Sequence, residues 1–196
     1  MTKQAFLLLL LPFFSLKMAA QQGIEAGVWL GGVHYFGDLN TNMRLDRPGL
    51  AGGAAIRYNF NERVCAKLGL NAGQIQAYDK DSPNIFERAR NLHFKSIVAD
   101  VAAQMEFNFL PYIHGSKDKA WTPYLFLGLG ASYFNPKAEL DGDWYELRPF
   151  GTEGQFKGEE YYTVSGGWVY GAGFKIDLSY EWSINIDVSA RRLFSD

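Results

Sequence analysis

A chain of 196 residues and 22.1 kDa has room for one domain. With 16% aromatic residues, 21 glycines and a mean hydropathy of -0.16 it is too aromatic for an average soluble domain and too polar for a bundle of membrane helices. A net charge of -2 and a pI near 5.9 exclude the basic excess of a general nucleic-acid binder.

The first twenty residues read as a secretory signal peptide: Lys3 is the positive start, Ala5 to Leu16 the apolar core, and Met18-Ala-Ala20 a small-residue approach to cleavage before Gln21. The apolar run is short of the roughly 20 residues that a spanning helix needs. Cysteine does not follow it, which argues against a lipoprotein; the chain's single cysteine is Cys65. Residues 21–196 then form one domain. They contain no second apolar run of spanning length, so insertion in a membrane would be by strands closed into a barrel.

Taken in order, the chain alternates with a period of two. Ile24, Ala26, Val28 and Leu30 oppose Glu25, Gly27, Trp29 and Gly31 in a first strand that breaks at Gly37-Asp-Leu-Asn40. A second strand, from about Gly49 to Phe60, sets Leu50, Ala54, Ile56 and Tyr58 against Arg57 and Asn59, and turns at Asn59-Phe-Asn-Glu62. A third sets Val64, Ala66, Leu68 and Leu70 against Cys65, Lys67, Gly69 and Asn71, then gives way to a polar loop from Asp79 to Asn91. The fourth has the clearest pattern, with Ile97, Ala99, Val101, Ala103, Met105, Phe107 and Phe109 against Ser96, Asp100, Gln104, Glu106 and Asn108. Sandwich strands average about 5 to 6 residues, and these run about twice that, which favours a tilted membrane span.

A connection from Leu110 to Trp121 leads to a fifth strand, Tyr124 to Tyr133, and a long loop rich in aromatics, Asn135 to Tyr162. A lid over the barrel mouth is the simplest role for that loop, because its rings are poorly placed in open water. Val164, Trp168, Tyr170, Ala172, Phe174 and Ile176 mark a sixth strand against Lys175 and Asp177. After a short turn at Leu178-Ser-Tyr-Glu181 comes a seventh, with Trp182, Ile184, Ile186 and Val188 against Asp187 and Arg191.

Connections alternate between short and long, the asymmetry of an outer-membrane barrel with periplasmic turns and extracellular loops. Aromatics at strand ends, namely Tyr35 and Phe36, Tyr58 and Phe60, Phe107 to Tyr112, Tyr133 and Phe134, Tyr180 and Trp182, read as interfacial girdles. Glycines at 52–53, 128–130 and 171–173 leave room in a narrow interior. The expected fold is therefore all-β, an antiparallel up-and-down transmembrane β-barrel of eight-strand type. Seven strands break the even number such barrels use, so the expectation is that the last strand is missing and the chain truncated at its C-terminus.

Arg57, Lys67, Asp100, Glu106, Lys175, Asp177, Asp187 and Arg191 fall on lumen-facing positions, where charges have to pair; a conducting pore is the alternative, and the narrowness of eight strands argues against it. For an enzyme the material is thin. His34 with Asp38, and His93 with Ser96, lie near the outer rim without a nucleophile motif, so no catalytic residue is assigned. Histidines and cysteine do not pair at metal-ligand spacing, and no cofactor is implied. Cys65 reads either as a small buried hydrophobe or as a thiol available to a periplasmic partner.

Gly37-Asp-Leu-Asn40, Arg57-Tyr-Asn-Phe-Asn61, Phe94-Lys-Ser96, Glu106-Phe-Asn-Phe-Leu-Pro-Tyr112, Pro123-Tyr-Leu-Phe126, Phe134-Asn-Pro-Lys-Ala138, Trp144-Tyr-Glu-Leu147 and Gly151-Thr-Glu-Gly154 occur in this order. Through them the mature chain resembles the PorG family, the small outer-membrane barrel of the type IX secretion system. The resemblance implies a non-enzymatic barrel that associates with a periplasmic ring made of a lipoprotein and a companion protein. It places candidate partner contacts on the periplasmic turns Asn59 to Arg63, Leu110 to Trp121 and Leu178 to Glu181, among them Asn59, Asn61, Glu62, Arg63, Tyr112, His114, Lys117 and Lys119, and the unpaired thiol of Cys65 adds a ninth candidate. Arg191-Arg-Leu-Phe-Ser-Asp196 resembles the start of a segment that in the family continues into a further loop and strand. A generic small barrel with a structural or solute-pore role is the competing reading.

Overall fold

The computed structural model describes residues 5–10, 13–16, 23–37, 39–40, 42–140, 143–150 and 162–194. Seven long antiparallel strands carry the architecture: β3 (Ile24–Phe36), β4 (Gly49–Asn59), β5 (Val64–Tyr78), β6 (His93–Asn108), β7 (Trp121–Leu140), β9 (Val164–Asp177) and β10 (Ser183–Leu193). Each pairs with its sequence neighbour, from Ile24↔Tyr58 between β3 and β4 to Ser183↔Asp177 between β10 and β9. A short strand β8 (Asp143–Glu146) folds back on the far end of β7.

An odd number of up-and-down strands leaves β3 and β10 running parallel, so the two cannot close on each other antiparallel. One strand of opposite direction fits between them. The N-terminal strands β1 (Ala5–Leu10) and β2 (Phe13–Leu16) occupy that position, paired antiparallel with β10 (Ala5↔Arg192) and with β3 (Ala5↔Phe36). The eighth place in the ring is thus filled, in this structure, by the segment that reads as a signal peptide. The cleavage region from Met18 to Gln21 lies outside the described residues.

Strand lengths of 11 to 20 residues follow from the uninterrupted alternation. The period of two sends one face out and the other in. Leu68, Leu70, Val101, Met105, Leu127 and Ile186 are exposed, whereas Arg57, Lys67, Glu106, Lys175 and Asp187 are buried. The barrel is therefore turned inside out relative to a water-soluble one.

The lumen has two zones. Near the short turns it is polar; near the long loops it holds an apolar cluster of Trp29, Val33, Tyr35, Ala51, Ala55, Ile75, Ala77, Phe94 and Leu193. This corrects part of the girdle expectation. Tyr58, Phe60, Phe107, Phe109, Tyr180 and Trp182 are exposed, but Tyr35, Phe36 and Tyr112 are buried. Tyr35 packs edge-on to Phe94 at 4.8 Å because it lies on the inward parity of β3 with Trp29 and Val33.

Those loops are ordered by specific bonds. Asn40 donates to the carbonyls of Tyr35 (2.8 Å) and Arg44 (2.9 Å), Arg47 pairs with Asp81, and Arg90 clamps buried Asp79 at 2.7 and 2.9 Å. The stretch expected as plain loop after β5 contains a short helix α1 (Ile85–Arg90), capped by the Asn84 side chain on Phe86 N–H. The long loop does not begin at Asn135: β7 runs on to Leu140 and returns as β8, and Leu147 packs against the apolar cluster. Residues 151–161, with the Gly151 to Gly154 motif, lie outside the described residues.

Gly173 makes room for the polar zone: a Cβ there would lie 2.6 Å from Asp187 Cβ and 2.9 Å from Tyr124 Cε1. At Gly69 the nearest atom to a Cβ is 3.7 Å away. Gly173→Val is expected to lower stability by about 1–3 kcal/mol through overpacking, read as a lower urea midpoint in micelles, with Gly69→Ala close to wild type. Equal midpoints for all three proteins would overturn this account of the narrow interior.

Candidate functional site

The polar zone is built from residues on the inward face of seven neighbouring strands, β3 to β7, β9 and β10. Glu106 of β6 is its centre: Lys175 Nζ of β9 lies 2.7 Å from Oε2, Arg57 Nε of β4 2.8 Å from the same oxygen, and Lys67 Nζ of β5 3.9 Å from Oε1. Arg57 turns its Nη1 to Glu25 Oε2 of β3 at 2.8 Å. Lys67 also approaches Asp187 of β10 at 3.7 Å, and Asp187 accepts a hydrogen bond from the Tyr124 hydroxyl at 2.8 Å. Lys175 donates to Asn108 Oδ1 at 3.0 Å and lies 4.6 Å above the Tyr124 ring. Further toward the long loops, Arg191 pairs with Asp100 at 3.0 Å and donates to Ser189.

All eight lumen residues expected from the sequence thus lie inside the barrel, seven of them in these ion pairs, while Asp177 sits at the short-turn mouth. Glu25, Tyr124 and Asn108 belong to the same network and were missed. Glu25 and Asn108 carried the same alternation signal as Arg57, and Tyr124 was hidden in a strand read for its apolar face.

The mouth is covered by residues 109–120, the connection between β6 and β7. His114 reaches across it, with Nε2 2.8 Å from Glu25 Oε1 of β3 and Nδ1 2.7 Å from Asp177 Oδ1 of β9. Gly115, at φ +76°, donates its N–H to Asp177 Oδ2 at 2.6 Å; a Cβ there would meet Tyr180 at 2.7 Å. Burial disfavours the charged imidazole, but the hydrogen bonds and charges of Glu25 and Asp177 outweigh it and raise the His114 pKa above its ordinary value.

This arrangement divides the candidate partner contacts. Asn61, Glu62, Arg63 and Lys117 are exposed, with Lys119 bridging Glu62 at 2.9 Å. Cys65, Tyr112, His114 and Asn59 are corrected: their side chains turn into the barrel. Cys65 is 0% exposed, 3.6 Å from Lys175 Nζ, and Asn59 donates to Glu25. The physical reason is the same period of two, which puts Cys65 on the face of Lys67 and Arg57, together with the inward fold of 109–120.

At the other rim, His93 stacks on Tyr78 at 5.4 Å, and the Ser96 hydroxyl is engaged with the backbone of Ile97 and Asn135. His34 is buried beside Phe36, and Asp38 lies outside the described residues. Among the described residues no group of three or more His, Cys, Asp and Glu is arranged to hold a metal ion.

Removing the Glu106 charge leaves three cations facing a single carboxylate less in an enclosed space. Glu106→Gln is expected to cost about 3–5 kcal/mol, and Lys119→Ala, in an exposed pair, under about 1 kcal/mol. Urea unfolding followed by tryptophan fluorescence checks both; a wild-type midpoint for Glu106→Gln would contradict the central role of that carboxylate.

Residues 3–144 match the family described as a domain of unknown function, DUF6089. No curated protein matches the chain. Among solved structures, that of Ail, the attachment invasion locus protein of Yersinia pestis, in complex with the heparin analogue sucrose octasulfate, is similar with a TM-score of 0.37 and 11% identity, over 99% of this chain and 100% of that one.

Proposed function

We propose that this chain, which belongs to the DUF6089 family, is an outer-membrane β-barrel that anchors the periplasmic lipoprotein ring of a type IX secretion machine and has no enzymatic role. The observation that carries the membrane part is the inverted burial: Leu127 is 56% and Leu70 62% exposed, while Lys175 and Glu106 are 1% exposed. In water this arrangement leaves a wide apolar belt in contact with solvent. In a bilayer the same belt meets outer-membrane lipids, and the strands are long enough for a tilted crossing.

Orientation follows from the connections, with the short-turn end in the periplasm and the long loops outside. Export by a signal peptide at residues 1–20, cleaved before Gln21, fits the order of charge, apolar core and small residues. After cleavage the place between β10 and β3 passes to another antiparallel strand, because unpaired backbone groups in lipid cost several kcal/mol each.

The anchoring role rests on the resemblance to the PorG family and on its motifs at the short-turn end, Arg57 to Asn61 and Glu106 to Tyr112. The surfaces offered to the lipoprotein and its companion are then Asn61, Glu62, Arg63, Lys117 and Lys119. The filled lumen supports this structural reading over a solute pore in a generic small barrel. Purification of the tagged protein from mild-detergent outer membranes is expected to bring the ring lipoprotein and its companion with it. Exchanging residues 110–121 for a short Gly/Ser loop is expected to abolish their recovery; an unchanged recovery removes that turn from the interface, and a barrel recovered alone in the wild type overturns the anchoring role. Terminal sequencing of the same material is expected to begin at Gln21.

A further inference from the structure

His114 presents a requirement that the anchoring role leaves unused. Each of its ring nitrogens is within 2.8 Å of a carboxylate oxygen, one from Glu25 and one from Asp177. A neutral imidazole has one N–H and one lone pair, and an ionised carboxylate only accepts. Satisfying both contacts at once takes the doubly protonated ring.

Charge balance points the same way. Among the described residues of the polar zone and its mouth, the carboxylates Glu25, Glu106, Asp177 and Asp187 are enclosed with three basic side chains from the strands, Arg57, Lys67 and Lys175. The imidazolium of His114 is the fourth.

We propose that residues 109–120 are a proton-dependent latch over the short-turn mouth of the barrel, closed while the His114 imidazolium bridges Glu25 and Asp177 and released when it gives up a proton. Further anchors hold the latch besides His114. The Tyr112 N–H donates to Glu62 O at 3.1 Å, Lys119 pairs with Glu62, and Gly115 is held by Asp177 against Tyr180. Two of these come from the β4–β5 turn, so release at His114 removes both ring contacts from the middle of the segment, which keeps the Gly115 N–H on Asp177, while its ends stay tethered.

The charged and titratable groups that face the ring are Glu25 of β3, Arg57 of β4 behind Glu25, Asp177 and the deeper Lys175 of β9, Glu106 of β6, and Tyr112 on its own segment, 5.1 Å away and edge-on. Tyr180 of the β9–β10 turn packs on Gly115. Lys117 and Asp118 point to solvent. The other two histidines, His34 and His93, sit at the opposite end of the barrel, so a histidine titration at this mouth belongs to His114.

The sign follows from the raised His114 pKa. The latch is fully closed below the ordinary imidazole value of about 6.5 and is lost as pH rises through the raised folded-state value. Between these two values the open-to-closed ratio increases roughly tenfold per pH unit, the slope of one linked proton, and above the raised value it levels off.

The test uses the intact barrel in micelles between pH 5 and pH 9. Trypsin cleavage at Lys117, taken relative to the same sequence as a free peptide, is expected to be slow at low pH and to rise with the stated slope. His114→Gln is expected to be cut fast at every pH while still running as a heat-modifiable folded band. A pH-independent rate in the wild type, or a wild-type profile in His114→Gln, overturns the latch. Nitrogen-15 imidazole spectra of the wild type decide the matter without a variant: a doubly protonated His114 at pH 7 supports the proposal, and a neutral ring there overturns it.

Discussion

Four strands are tied together across the lumen by one carboxylate. Glu106 on β6 receives Arg57 from β4, Lys67 from β5 and Lys175 from β9, so that no one of these cations can leave without stranding charge in an enclosed space. Arg57 extends the tie to β3 through Glu25, and Lys67 extends it to β10 through Asp187. The network does for this barrel what an apolar core does for a soluble one: it specifies which strands face each other across the interior. Its net contribution to stability is smaller than its contact distances imply, because each charge was desolvated to enter. Its contribution to uniqueness is large, since a one-residue slip of any strand would turn that strand's charge toward the outside.

The apolar zone at the long-loop end completes the division of labour. Trp29, Tyr35, Ile75 and Phe94 fill the lumen where the charges stop, and Trp29 bridges the zones by donating its indole N–H to Asn71 at 2.8 Å. Side chains thus fill the lumen as a pillar of packed groups. At the short-turn end the pillar is finished by a segment that folds back over the mouth, and this geometry separates the residues that hold the segment, Tyr112 and His114, from those left outside, Asn61, Arg63 and Lys117.

Strand existence, direction and face were legible because each depends on local sequence alone. Alternation over Ile97 to Phe109 or Val64 to Leu70 assigns an outward and an inward face with no knowledge of the neighbours, and the inward charges followed from it. Tyr35, read as an interface aromatic, shares the inward parity of Trp29 and Val33; Phe36 is buried although its parity is outward, and the helix at Ile85–Arg90 was too short to carry a periodic signal.

What the sequence by itself determined about this protein is the period-two code, and with it a β-barrel with charges inside and hydrocarbon outside, because side-chain direction on a strand is fixed by the backbone. What only the tertiary structure decided is pairing across the lumen and closure at its ends. Nothing local joins His114 to Glu25, 89 residues away, or to Asp177, 63 residues away. Nor does parity name the segment that lies between β10 and β3; it says only that one antiparallel strand belongs there. Both are matters of curvature, which sets which inward residues meet, and curvature is a property of the closed sheet and of no single strand.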